Sequence, residues 1–141
     1  MEPVLKPTRV LLVDDHPAIL RQVVQMLPEE FEVVATLEDG RRLPAAVQEH
    51  QPDFIVLDIT LPGQSGIHLA SQLCHAGCVA RIIFLTVHND PDYARAAIAA
   101  GGSAYVVKMR LATDLVPALR AVIAGRRYVS PCPELKELDS A

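Results

Sequence analysis

Short, almost wholly apolar runs alternate along this chain with longer segments in which apolar residues recur every three or four positions. The short runs are typical of strands buried in a parallel sheet, and the longer spacing is typical of helices packed on it. We predict strands over residues 9–14, 32–37, 53–58, 81–86 and 103–107. We predict helices from Pro17 to about Leu27, from after Asp39–Gly40 to His50, from Ser65 to about His75, from Asp90 to Gly101, and from about Ala112 to Ala124. The alternation predicts an α/β fold with a parallel sheet and helices on both faces.

Proline and glycine positions agree with these helix boundaries, with one exception. Pro17 and Pro91 suit a first helical position, and Gly125 follows the last predicted helix. Pro117 lies inside that helix and should kink it if the helix begins at Ala112. If the helix begins one or two residues later, Pro117 lies near its first turn and destabilises the helix less. The sequence leaves both starts open.

Composition narrows the class of protein. The chain has 141 residues, half of them apolar, which suits one domain with a proper core. Its formal net charge of −4 argues against nucleic-acid binding by this segment alone. No apolar run approaches the ~20 residues of a membrane span, and the start lacks a signal-peptide pattern, so we expect a cytoplasmic protein. The three cysteines, Cys74, Cys78 and Cys132, are expected to be reduced structural thiols rather than metal ligands.

Polar residues stand at the carboxyl ends of four predicted strands. They are Asp14–Asp15, Asp58, Thr86 and Lys108. Ligands of open α/β sheets bind in the crevice beyond those ends, so these side chains should meet at one rim. Three carboxylates, a hydroxyl and an ammonium suit a divalent cation and a phosphoryl group.

The chemistry expected at this rim follows from the donor set. Hard cations such as Mg²⁺ take carboxylate oxygens, and a strand-end carboxylate such as Asp58 can attack phosphorus to form an acyl phosphate. Lys108 can neutralise phosphoryl charge, and Thr86 can donate to a phosphoryl oxygen. Each residue also has a plainer interpretation: a helix cap for the Asp pair, a solvated loop lysine, and an ordinary strand threonine. Tyr105 is interpreted on physical grounds as a core aromatic.

Together these segments resemble the receiver domain of two-component response regulators, most closely the NarL/FixJ subfamily. The resemblance rests on RVLLVDDHP, HQPDFIVLDITLPGQSGIHLA, ARIIFLTVHND, AAGGSAYVVK and LRAVIAGRRYVSP, which span about residues 8 to 131. It implies a doubly wound, flavodoxin-like (βα)5 fold with strand order 2-1-3-4-5. The site roles that it implies are Asp58 as phosphoacceptor, Asp14, Asp15, Asp58 and the Thr60 backbone carbonyl as ligands of Mg²⁺ (or Mn²⁺), Lys108 as phosphate contact, Thr86 as switch hydroxyl and Tyr105 as switch aromatic.

The resemblance also implies partners and boundaries. We expect an N-terminal extension over 1–7, a receiver domain over 8–128, and a tail or the start of a linker over 129–141. A sensor histidine kinase would donate the phosphoryl group, and activation could form a homodimer. DNA would be bound only through a C-terminal helix-turn-helix domain beyond this chain, giving a transcriptional output. The last residues, PELKELDSA, look like linker and favour a piece of a longer regulator over a stand-alone receiver.

One departure from the subfamily and three alternatives accompany this interpretation. Met109–Arg110 follows Lys108, where the subfamily commonly has an acidic or small polar residue. A haloacid-dehalogenase-type phosphatase would need a second Asp at the position of Thr60. A nucleotide or flavin binder would need a glycine-rich turn where Asp-Asp-His-Pro stands. A phosphorylation-independent interaction module stays open, although the intact acidic set argues against it. We expect no enzyme beyond self-phosphorylation and self-dephosphorylation.

Overall fold

Parallel strands form one central sheet in the computed structural model, which describes residues 6–131. The strands of the chain are β1 Thr8–Val13, β2 Phe31–Leu37, β3 Phe54–Leu57, β4 Thr60–Leu61, β5 Gln64–Ser65, β6 Arg81–Thr86, β7 Gly102–Val107 and β8 Tyr128–Val129. The central sheet has the order β2-β1-β3-β6-β7-β8, and β4 and β5 form a separate antiparallel hairpin. The first five strands of that order match the 2-1-3-4-5 order implied by the resemblance.

Five α-helices connect the strands within the described residues. They are α1 Pro17–Met26, α2 Leu43–His50, α3 Gly66–His75, α4 Pro91–Ala99 and α5 Leu111–Ile123, with a 3₁₀ turn at Lys108–Arg110 before α5. Helices α2, α3 and α4 contribute to one buried apolar cluster, and α1 and α5 contribute to another. The two clusters lie on opposite faces of the sheet, because alternate residues of each strand point to opposite sides. This doubly wound α/β architecture confirms the predicted fold class.

The central strand β3 illustrates why the apolar pattern was informative. All four of its residues are buried. Phe54 and Val56 belong to the cluster with α1 and α5, whereas Ile55 and Leu57 belong to the cluster with α2, α3 and α4. A strand covered on both faces therefore shows a continuous apolar run instead of an alternating one.

Two elements were not predicted from the sequence. The β4–β5 hairpin and the edge strand β8 each use strands of only two residues. Such short strands carry no detectable periodicity. β8 pairs in parallel with β7 through Ala104–Tyr128 and Tyr105–Val129, so it extends the sheet by one strand beyond the predicted five.

Helix ends largely follow the predicted caps. The Ser65 hydroxyl accepts a hydrogen bond from His68 N at 3.4 Å, and Asp90 Oδ1 accepts one from Asp92 N at 2.8 Å. Gly101 and Gly125 have φ values of 109° and 83°, a left-handed conformation that favours glycine after a helix.

Pro117 lies well inside α5, since the helix begins at Leu111. The later start, which would have placed Pro117 near the first turn, is not observed. Proline has no N–H to donate to the carbonyl of Thr113. Both residues are exposed, so water can satisfy that carbonyl and the cost of the interior proline is reduced.

The described residues contain no helix that is long and apolar enough to cross a membrane. Cys74 and Cys78 are free thiols, whereas Cys132 lies outside the described residues. Most of the predicted N-terminal extension and of the predicted tail also lies outside them.

Candidate functional site

Two buried aspartates lie side by side just beyond the carboxyl ends of β1 and β3. Asp14 N donates to the carbonyl of Leu37, and Asp58 N donates to the carbonyl of Val13, both at 3.0 Å. These bonds extend the parallel ladders by one residue and aim both side chains at the same rim. Each aspartate is only 3% exposed. Burial of two carboxylates so close together requires a cation or a donor between them.

Lys108 supplies that charge in the structure. Its Nζ lies 2.8 Å from Asp14 Oδ2 and 2.9 Å from Asp58 Oδ2, and the side chain is 8% exposed. Burial lowers the pKa of Lys108, but the contacts with Asp14 and Asp58 outweigh burial and leave that pKa raised. The ammonium therefore stays protonated and links the two carboxylates.

The charged form of the Asp58 carboxyl remains disfavoured despite its contact with Lys108. Burial raises the pKa of its carboxyl, and the hydrogen bond and charge of Lys108 offset only part of that rise. The neighbouring Asp14 raises it further, and the weak 3.3 Å bond from Thr60 N to Asp58 Oδ1 opposes it. An additional cation at the rim would therefore stabilise the charged form of this carboxylate.

The acidic cluster offers several ligand atoms to such a cation. Asp14, Asp15, His16 and Asp58 each offer one ligand atom, and these four atoms lie within 4.8 Å of one another. Asp14 Oδ2 and Asp15 Oδ1 are buried and receive no well-directed hydrogen bond from the described residues. Lys108 Nζ and His16 Nδ1 do lie within ion-pair distance of them. Buried oxygens without a directed donor fit a divalent cation, which prefers oxygen ligands.

Thr86 and Tyr105 meet at a residue that the sequence did not single out, His88. The Thr86 hydroxyl accepts from His88 N at 3.3 Å, and the Tyr105 hydroxyl donates to His88 O at 2.6 Å. The His88 ring lies 2.8 Å from Thr60 Oγ1 through Nε2 and stacks on Tyr93 at 4.1 Å between centroids. The loop after β6 is thus tied to the hairpin, to α4 and to β7. Both Thr86 and Tyr105 are fully buried, as expected of a core aromatic in the case of Tyr105.

Arg110, the second residue of the pair that departs from the subfamily pattern, anchors the turn after Lys108. Arg110 Nε lies 2.8 Å from Oδ2 of the buried Asp114, which also accepts from Ser130 Oγ at 2.8 Å. Ser130 Oγ in turn accepts from Val107 N at 3.0 Å. Arg110 therefore turns away from the acidic cluster, and the network fixes the end of β7, from which Lys108 projects.

A comparison with protein-family models finds one that covers most of the chain. The model of the response regulator receiver domain matches residues 10–120. The chain belongs to this family.

Curated relatives of this receiver domain are longer proteins. The chain is 30% identical over 126 residues to the transcriptional regulatory protein DegU of Brevibacillus brevis, which covers 87% of the chain and 53% of the relative. It is 33% identical over 125 residues to the oxygen regulatory protein NreC of Staphylococcus epidermidis, with 86% and 57% covered. The chain thus spans little more than half the length of these relatives.

Solved structures show the same fold. A two-component response regulator of the LuxR family from Aurantimonas superposes with a TM-score of 0.84 at 35% identity, covering 96% of this chain and all of that one. The signal receiver domain of NarL from Mycobacterium tuberculosis superposes with a TM-score of 0.81 at 27% identity, covering 86% of this chain and all of that one.

The receiver domain therefore brings all the predicted strand-end residues to one rim, where Asp14, Asp15, Asp58 and Lys108 form a single charged cluster. The Thr86 hydroxyl is hydrogen-bonded to His88, in the loop after β6, and not to these carboxylates. Sequence reasoning missed His16 and His88 as members of the site. The available signals were their positions, directly after the Asp pair and two residues after Thr86.

Proposed function

We propose that this receiver domain accepts a phosphoryl group on Asp58 in a Mg²⁺-dependent reaction (Mn²⁺ serving as well). The donor would be the phosphohistidine of a sensor histidine kinase. The observation that carries the proposal is the Asp58 carboxylate, which is buried at the sheet rim, paired with Lys108 Nζ at 2.9 Å, and grouped with Asp14 and Asp15 as possible ligands of a cation.

The transfer needs little beyond position and charge. An Asp58 carboxylate oxygen attacks phosphorus, the bond from phosphorus to the donor imidazole nitrogen breaks, and that nitrogen leaves with the electron pair. Lys108 turns its ammonium from Asp58 toward a phosphoryl oxygen. Held by Asp14, Asp15, Asp58 and the Thr60 backbone carbonyl, Mg²⁺ would supply further positive charge against the phosphoryl oxygens.

The conformational output would begin at Thr86. Its hydroxyl accepts a hydrogen bond from His88 N, and its own hydrogen would be donated to a phosphoryl oxygen. The Tyr105 hydroxyl donates a hydrogen bond to the carbonyl of the same His88, so a shift of this loop would change the contact of Tyr105 on β7. A phosphoryl group of about −1.5 to −2 charge would bias two states of the β6–α4 loop rather than create a new fold. Tyr105 would act as the switch aromatic, with the face of α4, β7 and α5 as the readout surface.

The proposal also covers the output domain, the partners and the location of this receiver domain. DegU is a transcriptional regulatory protein, and the chain covers only 53% of its length. By analogy, the domain over 8–128 would control transcription through a helix-turn-helix domain beyond this chain. RcsB, at 25% identity, has been solved as two dimers bound to two parallel DNAs. The dimers of that relative support homodimer formation, which we propose accompanies activation. We place the protein in the cytoplasm, with no enzymatic turnover beyond self-phosphorylation and self-dephosphorylation.

The test is phosphorylation by acetyl phosphate, a small donor that replaces the kinase. With Mg²⁺ the intact protein should gain the mass of one phosphoryl group, and with the cation chelated it should gain none. Turnover of p-nitrophenyl phosphate should be absent, which separates a receiver from a phosphatase. A receiver that stays unmodified at saturating donor and Mg²⁺ would instead support the phosphorylation-independent interaction module.

Replacing Lys108 should tighten cation binding. In Lys108→Met the ammonium no longer competes for Asp14 and Asp58, so the Kd for Mg²⁺ should fall about tenfold. Isothermal titration calorimetry measures the change. The matched control is Lys6→Met, since Lys6 is exposed near the amino end of β1, and its Kd should equal that of the wild type. An unchanged or weaker Mg²⁺ affinity in Lys108→Met would show that the ammonium does not occupy the place of the cation.

A further inference from the structure

His16 is a member of the acidic cluster that the proposed phosphoryl transfer does not use. It stands at the N-cap position of α1, yet its side chain makes no capping hydrogen bond to the helix. The ring turns the other way, and Nδ1 lies 3.0 Å from Asp14 Oδ1 and 3.2 Å from Asp15 Oδ1. Its position is therefore explained by the site and not by the start of the helix.

The His16 nitrogen already faces a positive charge. Lys108 Nζ lies 3.1 Å from His16 Nδ1, together with its 2.8 Å contact to Asp14 Oδ2 and its 2.9 Å contact to Asp58 Oδ2. An ammonium can only donate hydrogen bonds, so its contact with Nδ1 requires the ring lone pair to point at the ammonium. One nitrogen and two carboxylate oxygens thus converge on a single cationic centre.

The contacts of Nδ1 conflict with one another when only Lys108 is present. Donation to Asp14 Oδ1 needs a proton on Nδ1, whereas acceptance from Lys108 needs a lone pair there. Meanwhile the Asp14 side chain is 4% exposed, and within the described part of the chain its Oδ2 has the Lys108 ammonium 2.8 Å away but no well-directed hydrogen bond. A metal ion bound to Nδ1 and to the carboxylate oxygens removes the conflict, because each of these atoms can then direct a lone pair at the same cation.

The spacing of the donor atoms matches the coordination shell of a small divalent cation. Octahedral ligands at roughly 2.1 Å from the metal are separated by about 3.0 Å along each edge. The distances from Nδ1 to Asp14 Oδ1 and to Asp15 Oδ1 are 3.0 and 3.2 Å. Nδ1 and either of these carboxylate oxygens can therefore occupy neighbouring positions of one octahedron with little movement.

We propose that His16 Nδ1 is a direct ligand of the cation in this site and makes the site prefer Mn²⁺ and related first-row transition cations to Mg²⁺. Mg²⁺ takes oxygen ligands and gains little from imidazole, whereas affinity for nitrogen donors rises along the first transition row. The inference rests on the cation site of the proposed function, and concerns which cation that site selects.

The test compares wild type with His16→Asn in the absence of a phosphoryl donor. Asparagine is a preferred N-cap residue, so the start of α1 is preserved while the nitrogen ligand is lost. His68→Asn is the matched control, because His68 is exposed on α3 and makes no side-chain contact to the acidic cluster. Mn²⁺ affinity is measured from the free Mn²⁺ resonance signal, and Mg²⁺ affinity by competition.

The ratio of Mn²⁺ to Mg²⁺ affinity should fall about tenfold in His16→Asn and stay unchanged in His68→Asn. Electron spin-echo spectra of Mn²⁺ bound to wild type should show the modulation of a directly coordinated nitrogen. This second measurement needs no variant. Bound Mn²⁺ without nitrogen modulation overturns the role of His16 and leaves the proposed function standing. Failure of wild type to bind either cation at millimolar concentration overturns both.

Discussion

Asp58→Asn should abolish the gain of a phosphoryl group from acetyl phosphate and Mg²⁺, to below detection by intact mass. The amide has no anionic oxygen to attack phosphorus, and it removes one of the carboxylates around the cation. Asp53→Asn is the matched control, because Asp53 lies beside the opposite, amino end of β3, where its Oδ2 accepts from Arg9 N at 2.9 Å. That variant should be labelled as fast as the wild type.

Loss of labelling in Asp58→Asn should not come from loss of folding. Burial raises the pKa of Asp58, so its charged form is disfavoured in the folded state. Stability linked to this group is present below the pKa of the unfolded chain and is lost as pH rises through the raised folded pKa. Above the raised folded pKa that cost is fully present, and removing the charge there should raise the free energy of unfolding by about 1 kcal/mol. Urea unfolding measures the change. Equal phosphoryl gain in Asp58→Asn and wild type would move the phosphoacceptor to another residue.

Gly66→Ala should be among the most destabilising single changes in this receiver domain. A Cβ at Gly66 would lie 1.9 Å from the carbonyl oxygen of Asp58 and 3.0 Å from Cα of Ile59. These are backbone atoms, which cannot rotate away as a side chain would. Either the start of α3 or the segment that carries Asp58 must shift, at a cost of about 3 kcal/mol.

The control for Gly66→Ala lies three residues earlier, in the turn between β4 and β5. Gly63 has a φ of 68°, and nothing lies within 4 Å of a Cβ built there. Gly63→Ala should therefore lose only the cost of a left-handed conformation, about 1 to 2 kcal/mol. Urea unfolding of both variants separates close approach from backbone strain. If Gly63→Ala loses as much stability as Gly66→Ala, the contact with the Asp58 carbonyl is not what requires glycine. Calorimetry should also show weaker Mg²⁺ binding in Gly66→Ala, because the shift displaces Asp58.

The sequence by itself determined the layers of the fold and the rim that carries the site. The predicted boundaries of the five long strands differ from the observed ones by no more than one residue at either end. That agreement has a physical cause: strands buried on both faces must be apolar throughout, and their polar successors mark where burial ends. Because parallel strands end at one edge, Asp14, Asp58 and Lys108 could be assigned to one rim without knowing any distance between them.

Only the tertiary structure decided how those residues meet. Lys108 and Asp58 are 50 positions apart in sequence, yet the ammonium lies 2.9 Å from the carboxylate. No local pattern records such a distance, since it depends on the sheet order and on the direction of each side chain. The same holds for His16 Nδ1, which turns toward the carboxylates instead of capping α1, and for His88, whose ring and backbone join Thr60, Thr86 and Tyr105. Short-range propensity determines where an element begins and ends, whereas contacts between elements arise only when the sheet brings distant residues side by side.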